Sequence, residues 1–324
     1  MKPLSLLLLF LALTSYQKSC SQNSQQKYCC MFYNVENLFH PSDDPHTRDD
    51  DFTPDGERRW TFYRYNKKIT EICKVILAVN QWNPPSFICL SEIENEEVLK
   101  DIIYHPLLIK NKYRILHRDS PDRRGIDVAI LFRTDHATCI DTTWITIKDE
   151  TGRTINTRDI LIAKFVINKD TLLIAANHWT SKYGGALETE AQRILQARIL
   201  GAFVDSVVTA QASASIIAGG DLNDLGGSVP LQVLKNDFSL HHILLPSGES
   251  TYKYQGRWGS VDHVFIAGRL SPENCSAFIP KIPFLVEKDE KYTGERPRRT
   301  YRGYAYSGGI SDHLPLLLFF QIPY

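Results

Sequence analysis

A recurring set of polar residues stands at or just beyond the ends of short apolar runs in this sequence. Asn34 and Glu36 occur in FYNVEN, Glu92 in CLSEIEN and His178 in AANHWTS. Asp221 and Asn223 follow in GGDLND, Asp262 in GSVDHVF, and Asp312 with His313 in GGISDHLPL. Packing explains such positions poorly, whereas loops held by a rigid scaffold are where catalytic groups sit. The set is rich in carboxylates and amides, with two histidines and no cysteine at a metal-like spacing. Hard oxygen donors of this kind suit Mg²⁺, Mn²⁺ or Ca²⁺ better than zinc. A divalent ion on one or two carboxylates would neutralise a phosphate and stabilise a leaving oxygen. A further carboxylate would orient or deprotonate water, and histidines with an asparagine would hold the charged oxygens of the transition state. The chemistry to expect is metal-assisted hydrolysis of a phosphoester.

Rival chemistries lack their residues. There is no G-x-S-x-G elbow, no H-E-x-x-H and no G-x-x-x-x-G-K-[ST] loop. DLNDLG opens like a calcium-binding loop, but Leu225 and Gln232 fall where that loop needs oxygen ligands. Taken singly, each residue has a plainer use: Glu92 as a helix cap, Asn34 or the Asp221 and Asp312 loops as turns, His178 as a core histidine. Their recurrence at the ends of separate apolar segments is what argues for a site.

The elements that must position them read as follows. YCCMFYNVENLF, PSFICLSEIEN, KYRILHR, DVAILFR, ILIAKFVI, TLLIAANH, SIIAGGD, SVDHVFIAG and LPLLLFFQI have the composition of strands. NKD between two of them is a hairpin signal. Ile69, Ile72, Cys73, Ile76 and Leu77 recur at helical spacing and predict a helix over about 64–79; Ala191, Ile194, Leu195, Ile199, Ala202 and Phe203 predict another over 188–208. The polar stretch HPSDDPHTRDDDFTPDGERRW, from His40 to Trp60, reads as a long loop. Hairpins mixed with strand–helix–strand units argue an α+β fold with mixed sheets, in a single domain over residues 28–324.

Lys plus Arg and Asp plus Glu both number 37, so no basic or acidic field announces a partner. Met1-Lys2, an apolar run from Leu4 to Leu13 and a polar exit predict a secretory signal over residues 1–20, too short for a membrane span. Cleavage is either plain or of the lipoprotein type, which would leave a lipid anchor on Cys20. The protein is therefore expected to be exported: periplasmic, outer-surface or secreted. No C-x-x-C pair is present, and the remaining cysteines are expected as free, buried thiols.

The motifs FYNVENLF, CLSEIEN, NHWTS, GGDLND, SVDHVF and SDHLPL, in that order, resemble those of the endonuclease/exonuclease/phosphatase superfamily, the deoxyribonuclease I-like fold. The resemblance runs from about Phe32 to the C-terminus. It implies a four-layer α/β/β/α sandwich of two mixed β-sheets, with the site at one end. It also implies Glu92 as the main metal ligand, Asp312 in the metal sphere, and Asn34 and Glu36 as further metal or phosphate contacts. Asp221 would position or activate water, Asn223 would contact phosphate, and His313, paired with Asp262, and His178 would lie on the phosphate. Glu36 stands where the family often has Asp. A basic or tyrosine contact is expected near DRRGIDVAILF, with Arg123, Arg124 and Asp127 as the choices and Arg124 having the basic-contact rationale.

The superfamily's substrates include nucleic acids, nucleotides and lipid headgroups, and fold alone does not choose among them. In KYTGERPRRTYRGYAYSGG, Arg298, Arg299 and Arg302 interleave with tyrosines, a pattern able to hold phosphate and stack bases. The expectation is a metal-dependent phosphodiesterase or nuclease. A phosphomonoesterase, or an inactive exported binding protein of the same fold, are the alternatives.

Overall fold

Residues 27–183 and 185–323 are described in the computed structural model, so the expected leader and Cys20 lie outside the described residues. The first half runs β1 (Tyr28–Leu38), α1 (Phe62–Ala78), β2 (Phe87–Ile93), α2 (Glu96–Ile103), β3 (Tyr113–His117) and β4 (Asp127–Arg133). Next come β5 (Thr138–Ile145), β6 (Ile160–Ile167), β7 (Asp170–His178), α3 (Glu190–Ala210), β8 (Ser215–Asp221) and α4 (Val229–Asp237). Shorter strands follow: β9 (His241–Ile243), the hairpin β10 (Tyr252–Tyr254) and β11 (Arg257–Gly259), β12 (Asp262–Gly268) and β13 (Cys275–Phe278). The last are β14 (Val286–Lys288), β15 (Glu295–Pro297), β16 (Tyr301–Arg302), β17 (Ala305–Tyr306) and β18 (Leu316–Phe320).

Two six-stranded sheets result, ordered β13-β18-β1-β2-β4-β3 and β5-β6-β7-β8-β12-β9. Each is mixed. β1 and β2 run parallel, as do β7 and β8, and the other pairings are antiparallel. A parallel pair needs a long crossover, which α1 supplies in one sheet and α3 in the other.

Side chains alternate across a strand, and the alternation sorts the layers. Along β8, Ile217 joins the larger core, whereas Ile216 and Ala218 pack with Leu200 and Val204 of α3 and Leu231 and Leu234 of α4. Phe165 of β6 meets Phe87 and Phe132 of the first sheet at ring separations of 4.9 and 5.1 Å, so the sheets pack face to face. Ile69, Ile72 and Ile76 of α1 and Val98 and Ile102 of α2 bury their faces in the same larger core. The architecture is the expected α/β/β/α sandwich.

Several elements escape the sequence reading, mostly the short strands after β8, together with α4, β5 and α2. β5 is an edge strand whose residues are exposed or half-buried, so it shows no apolar run. α2 has only eight residues and starts at an Asn95 cap that accepts from Glu97 N (2.9 Å) and Val98 N (3.1 Å). Among the described residues all six cysteines are free, four of them buried, and no helix is long and apolar enough to cross a membrane.

The topology decides where chemistry can occur. Parallel neighbours deliver their carboxyl ends to one edge, and antiparallel neighbours deliver their amino ends to the same edge. Thus Asn34 near the end of β1 pairs with Ser91 near the end of β2, and Phe32 pairs with Leu316 at the start of β18. In the second sheet, His178 ends β7 opposite Asp221 ending β8, which pairs with Asp262 starting β12.

Candidate active site

One carboxylate oxygen lies at the centre of this edge. Asp221 Oδ2 accepts from Asn34 Nδ2 at 3.0 Å, and the Nε2 atoms of His178 and His313 stand 3.6 and 3.8 Å away. Asn34 reaches Glu92 as well, donating to its Oε1 at 3.0 Å, while Glu92 Oε2 accepts Asn37 N at 2.7 Å. Asp262 Oδ2 holds His313 Nδ1 at 2.8 Å. Ser311 joins strand ends by donating to Asn34 O at 2.6 Å and accepting from His313 N at 3.0 Å. Glu36, Glu92 and Asn223 all have positive φ, +53°, +64° and +52°, backbone strain of a kind that gathers at functional sites.

A second group flanks the first. Glu36 Oε2 accepts Thr300 N at 2.6 Å and its Oε1 accepts Arg299 Nε at 3.3 Å. Arg299 Nη2 donates to Asp312 Oδ2 at 3.0 Å. Lys68 of α1, 2% exposed, donates to the Glu36 carbonyl and to Thr300 Oγ1. On the opposite flank Arg124 clasps Asp122, which also meets Arg158 at 2.9 Å.

A family model described as the Endonuclease/Exonuclease/phosphatase family matches residues 29–322. The chain belongs to the endonuclease/exonuclease/phosphatase family. Solved structures agree in fold. An endonuclease/exonuclease/phosphatase from Bacteroides vulgatus is 13% identical with a TM-score of 0.60, covering 92% of this chain and 100% of that one. The human Nocturnin catalytic domain, solved with bound sulfate, is 14% identical with a TM-score of 0.56, covering 92% and 95%. A mannosyl-6-phosphatase from Bacteroides thetaiotaomicron is 13% identical with a TM-score of 0.56, covering 90% and 98%. No curated protein matches the sequence.

Members of this family are metal-dependent phosphoesterases, and the donor set here fits a hard cation. Glu92 and Asp312 are half-buried carboxylates, and the ligand atoms of Asp221, Asp262 and His313 lie within 4.8 Å of one another. Among the described residues, buried Asp262 Oδ1 has no hydrogen-bond partner. Glu92 and Asp312 offer carboxylate oxygens, a donor type that divalent cations take. Asn34 differs from the expected metal contact: its Nδ2 faces Asp221 and Glu92, and its Oδ1 already accepts Glu36 N at 2.9 Å. Glu36 has a different neighbourhood from the expected one: both its oxygens already accept from protein donors, and its direct partner is Arg299.

Burial and charge separate the protonation states. Burial pushes the Asp221 carboxyl up to about 7, with Asp262 adding to the effect and His313 opposing it. Burial disfavours a charged His313, but Asp262 and Asp221 outweigh it and raise the imidazole well above its ordinary range. His178 goes the other way: burial, then Arg158 and Arg124, hold it well below that range and neutral. Burial, reinforced by Asp312, raises Glu36 to about 7, and burial lowers Lys68 to about 8. The edge therefore offers a cationic histidine, a neutral one and a carboxylate titrating near neutrality, the components of acid–base work on a phosphoester.

The remaining expected residues divide. Asn223 donates to Trp179 O at 3.0 Å, and its N–H donates to Asp221 Oδ1 at 2.9 Å, so it braces the loop. Of the three choices in DRRGIDVAILF, Arg123 and Arg124 are both exposed, Arg124 clasping Asp122, and Asp127 groups with His117 and Asp119. Arg299 is at the site; Arg298 donates to Gly308 O, and Arg302 pairs with Glu287 at 2.6 Å on the β16–β17 hairpin. Sequence reasoning passed over Lys68, Arg158 and Asp122, and reached Tyr252 only as part of the aromatic-basic stretch TYKYQGRW before GSVDH. Lys68 had a signal, since it falls on the apolar stripe of α1 beside Ile69 and Ile72. Tyr252 packs against His313 with ring centroids 4.9 Å apart and the ring planes tilted by 39°.

Proposed function

We propose that this protein is a divalent-metal-dependent phosphodiesterase of nuclease type. The observation that carries the reading is the convergence of two histidines of opposite charge state on one Asp221 oxygen. In this reading the protonated His313, held by Asp262, donates to a phosphate oxygen, and neutral His178 donates to a second. Asp221, poised near neutrality, takes a proton from the attacking water. Asn34 keeps Asp221 and Glu92 in register. A divalent ion bound through Glu92 and Asp312 would supply positive charge for the phosphate and the departing oxygen.

The balance of cations favours a diester. Arg299 is engaged by Glu36 and Asp312, Lys68 by a carbonyl and a hydroxyl, and Arg158 by Asp122 and two carbonyls. Arg124 is clasped by Asp122, and of these four only Arg124 and Arg299 have much of their side chains open, 49% and 39%. That suits a singly charged phosphate better than a dianionic monoester. Tyr252 against His313, with exposed Tyr254 and Trp258 on the same hairpin, supports a substrate carrying flat groups such as bases. The leader expected over residues 1–20 supports an activity outside the cytoplasm in the same reading.

The deciding experiment compares bis(p-nitrophenyl) phosphate, p-nitrophenyl phosphate and plasmid DNA, with Mg²⁺ or Mn²⁺ and then with EDTA. Metal-dependent cleavage of the diester and the plasmid is expected. Faster turnover of the monoester would replace the reading with a phosphomonoesterase, and no turnover of any substrate would leave a binding protein.

A further inference from the structure

The loop between β3 and β4 and the approach to β6 meet at the active edge through one buried ion pair. Asp122 and Arg158 have side chains each 3% exposed and stand 2.9 Å apart, one from the first sheet and one from the second. Each has further partners. Arg158 Nε donates to His178 O at 3.1 Å and its Nη2 donates to Trp179 O. Asp122 Oδ1 accepts Arg124 N at 2.9 Å and Arg124 Nε at 3.2 Å, and its Oδ2 accepts Arg124 Nη2 at 3.0 Å. A two-pronged carboxylate clasp of this kind fixes the plane of a guanidinium and not only its charge.

The two histidines differ in how they are held. His313 is oriented through its ring by Asp262. Among the described residues His178 Nδ1 has no hydrogen-bond partner, so no such dyad orients this ring. What is fixed instead is the main chain: the His178 and Trp179 carbonyls lie on Arg158, and Trp179 N donates to Asp221 O at 2.9 Å. A buried ion pair contributes less to stability than apolar packing of the same volume. Its placement between two site residues on different sheets gives it a geometric role.

We propose that the Asp122–Arg158 pair is the positioning device of this site, aiming Arg124 at the substrate phosphate from one sheet and setting His178 from the other. The inference rests on the phosphodiesterase reading, in which Arg124 touches the substrate while Asp122 and Arg158 act through their neighbours.

The test is a kinetic cycle on bis(p-nitrophenyl) phosphate with Mg²⁺, using Arg124→Ala, Asp122→Asn, their combination, and Arg158→Lys. Arg124→Ala should raise KM about tenfold or more with a smaller change in kcat, the size of one lost charge-assisted contact. Asp122→Asn should reproduce most of that rise alone and add less than about twofold on top of Arg124→Ala. Arg158→Lys keeps the charge but loses the fork, so kcat should fall about tenfold or more with the thermal midpoint little changed. Additive effects of Asp122→Asn and Arg124→Ala, or normal kinetics in Arg158→Lys, would overturn the proposal. Should Asp122→Asn not fold, Asp122→Glu keeps the charge at the wrong length and is read by the same KM criterion. Should the wild-type protein hydrolyse no phosphoester, the phosphodiesterase reading fails by itself. Calorimetric binding of inorganic phosphate then decides the positioning role, which requires equal, non-additive weakening by Arg124→Ala and Asp122→Asn.

Discussion

Replacing Arg193 with Met should destabilise the fold by about 4 kcal/mol, and the structure allows the figure to be built from parts. Arg193 of α3 is 1% exposed and meets Asp224, the last residue of GGDLND, at 2.9 Å. It also donates to Thr189 Oγ1 at 2.7 Å, Ala186 O at 3.0 Å and Thr180 O at 3.4 Å. Removing one partner of a buried pair costs about 3–5 kcal/mol, because the survivor is left as an uncompensated charge. Each lost hydrogen bond adds about 1 kcal/mol. Lys182, bound to Asp224 at 2.7 Å but 39% exposed, remains and offsets part of the loss. At about 2–4 °C per kcal/mol, the midpoint should fall by roughly 8–16 °C. Urea titration of wild type, Arg193→Met, Asp224→Asn and the double variant measures it. The double variant should be more stable than Arg193→Met alone, since no charge is stranded. The pH dependence gives a second check. Burial opposes the charge on Asp224, but Lys182 and Arg193 hold its carboxyl below 3.8. Its contribution is present above that value and disappears as pH falls through the depressed one, so the gap between wild type and Arg193→Met should narrow in acid. A loss under about 1 kcal/mol, or a double variant worse than both singles, would refute the reasoning.

Other outcomes are equally definite. Glu92→Gln and His313→Ala should each abolish phosphoester turnover while near-ultraviolet circular dichroism stays native; activity in either removes that residue from the site. Burial, with Asp49 adding to it, raises the Glu94 carboxyl to about 8, so the folded state binds the extra proton and stability should decline from pH 4.5 to pH 8. Glu94→Gln should flatten that slope in chemical denaturation, and an unchanged slope would assign it elsewhere. Burial pushes the thiols of Cys29 and Cys73 up to about 12, so peptide mapping after brief alkylation of the native protein should find both unmodified.

Residues whose partners lie in their own strand or at its edge were legible in the sequence. Asp221 was visible because three apolar residues and two glycines precede it, and its neighbours followed from the same signature at other strand ends. Glu36 shows the limit: sequence gives it as an acid beside Asn34, but its partners Arg299 and Thr300 lie 263 and 264 positions away. Nothing local distinguishes an acid that faces an ion from one that clasps an arginine. Arg158 and Asp122 were invisible for the same reason, each an ordinary charged residue beside a strand until the two sheets meet. β5 went unread because an exposed edge strand needs no apolar face.

The placement of β18 has a consequence for how activity arises during synthesis. This strand lies between β1 and β13, so the earliest strand is completed by the latest one. Ser311, 277 positions from Asn34, makes the same join in the site itself. An emerging chain can therefore finish its second sheet, with Asp221 and His178 in place, while the first sheet still lacks an inner strand and the site lacks His313. Assembly of the whole residue set has to wait until β18 pairs with β1. Chain order thus makes the site a late product of folding, since the group that joins its two ends, Ser311, and the histidine beside it arrive with the last strand pairing of the first sheet.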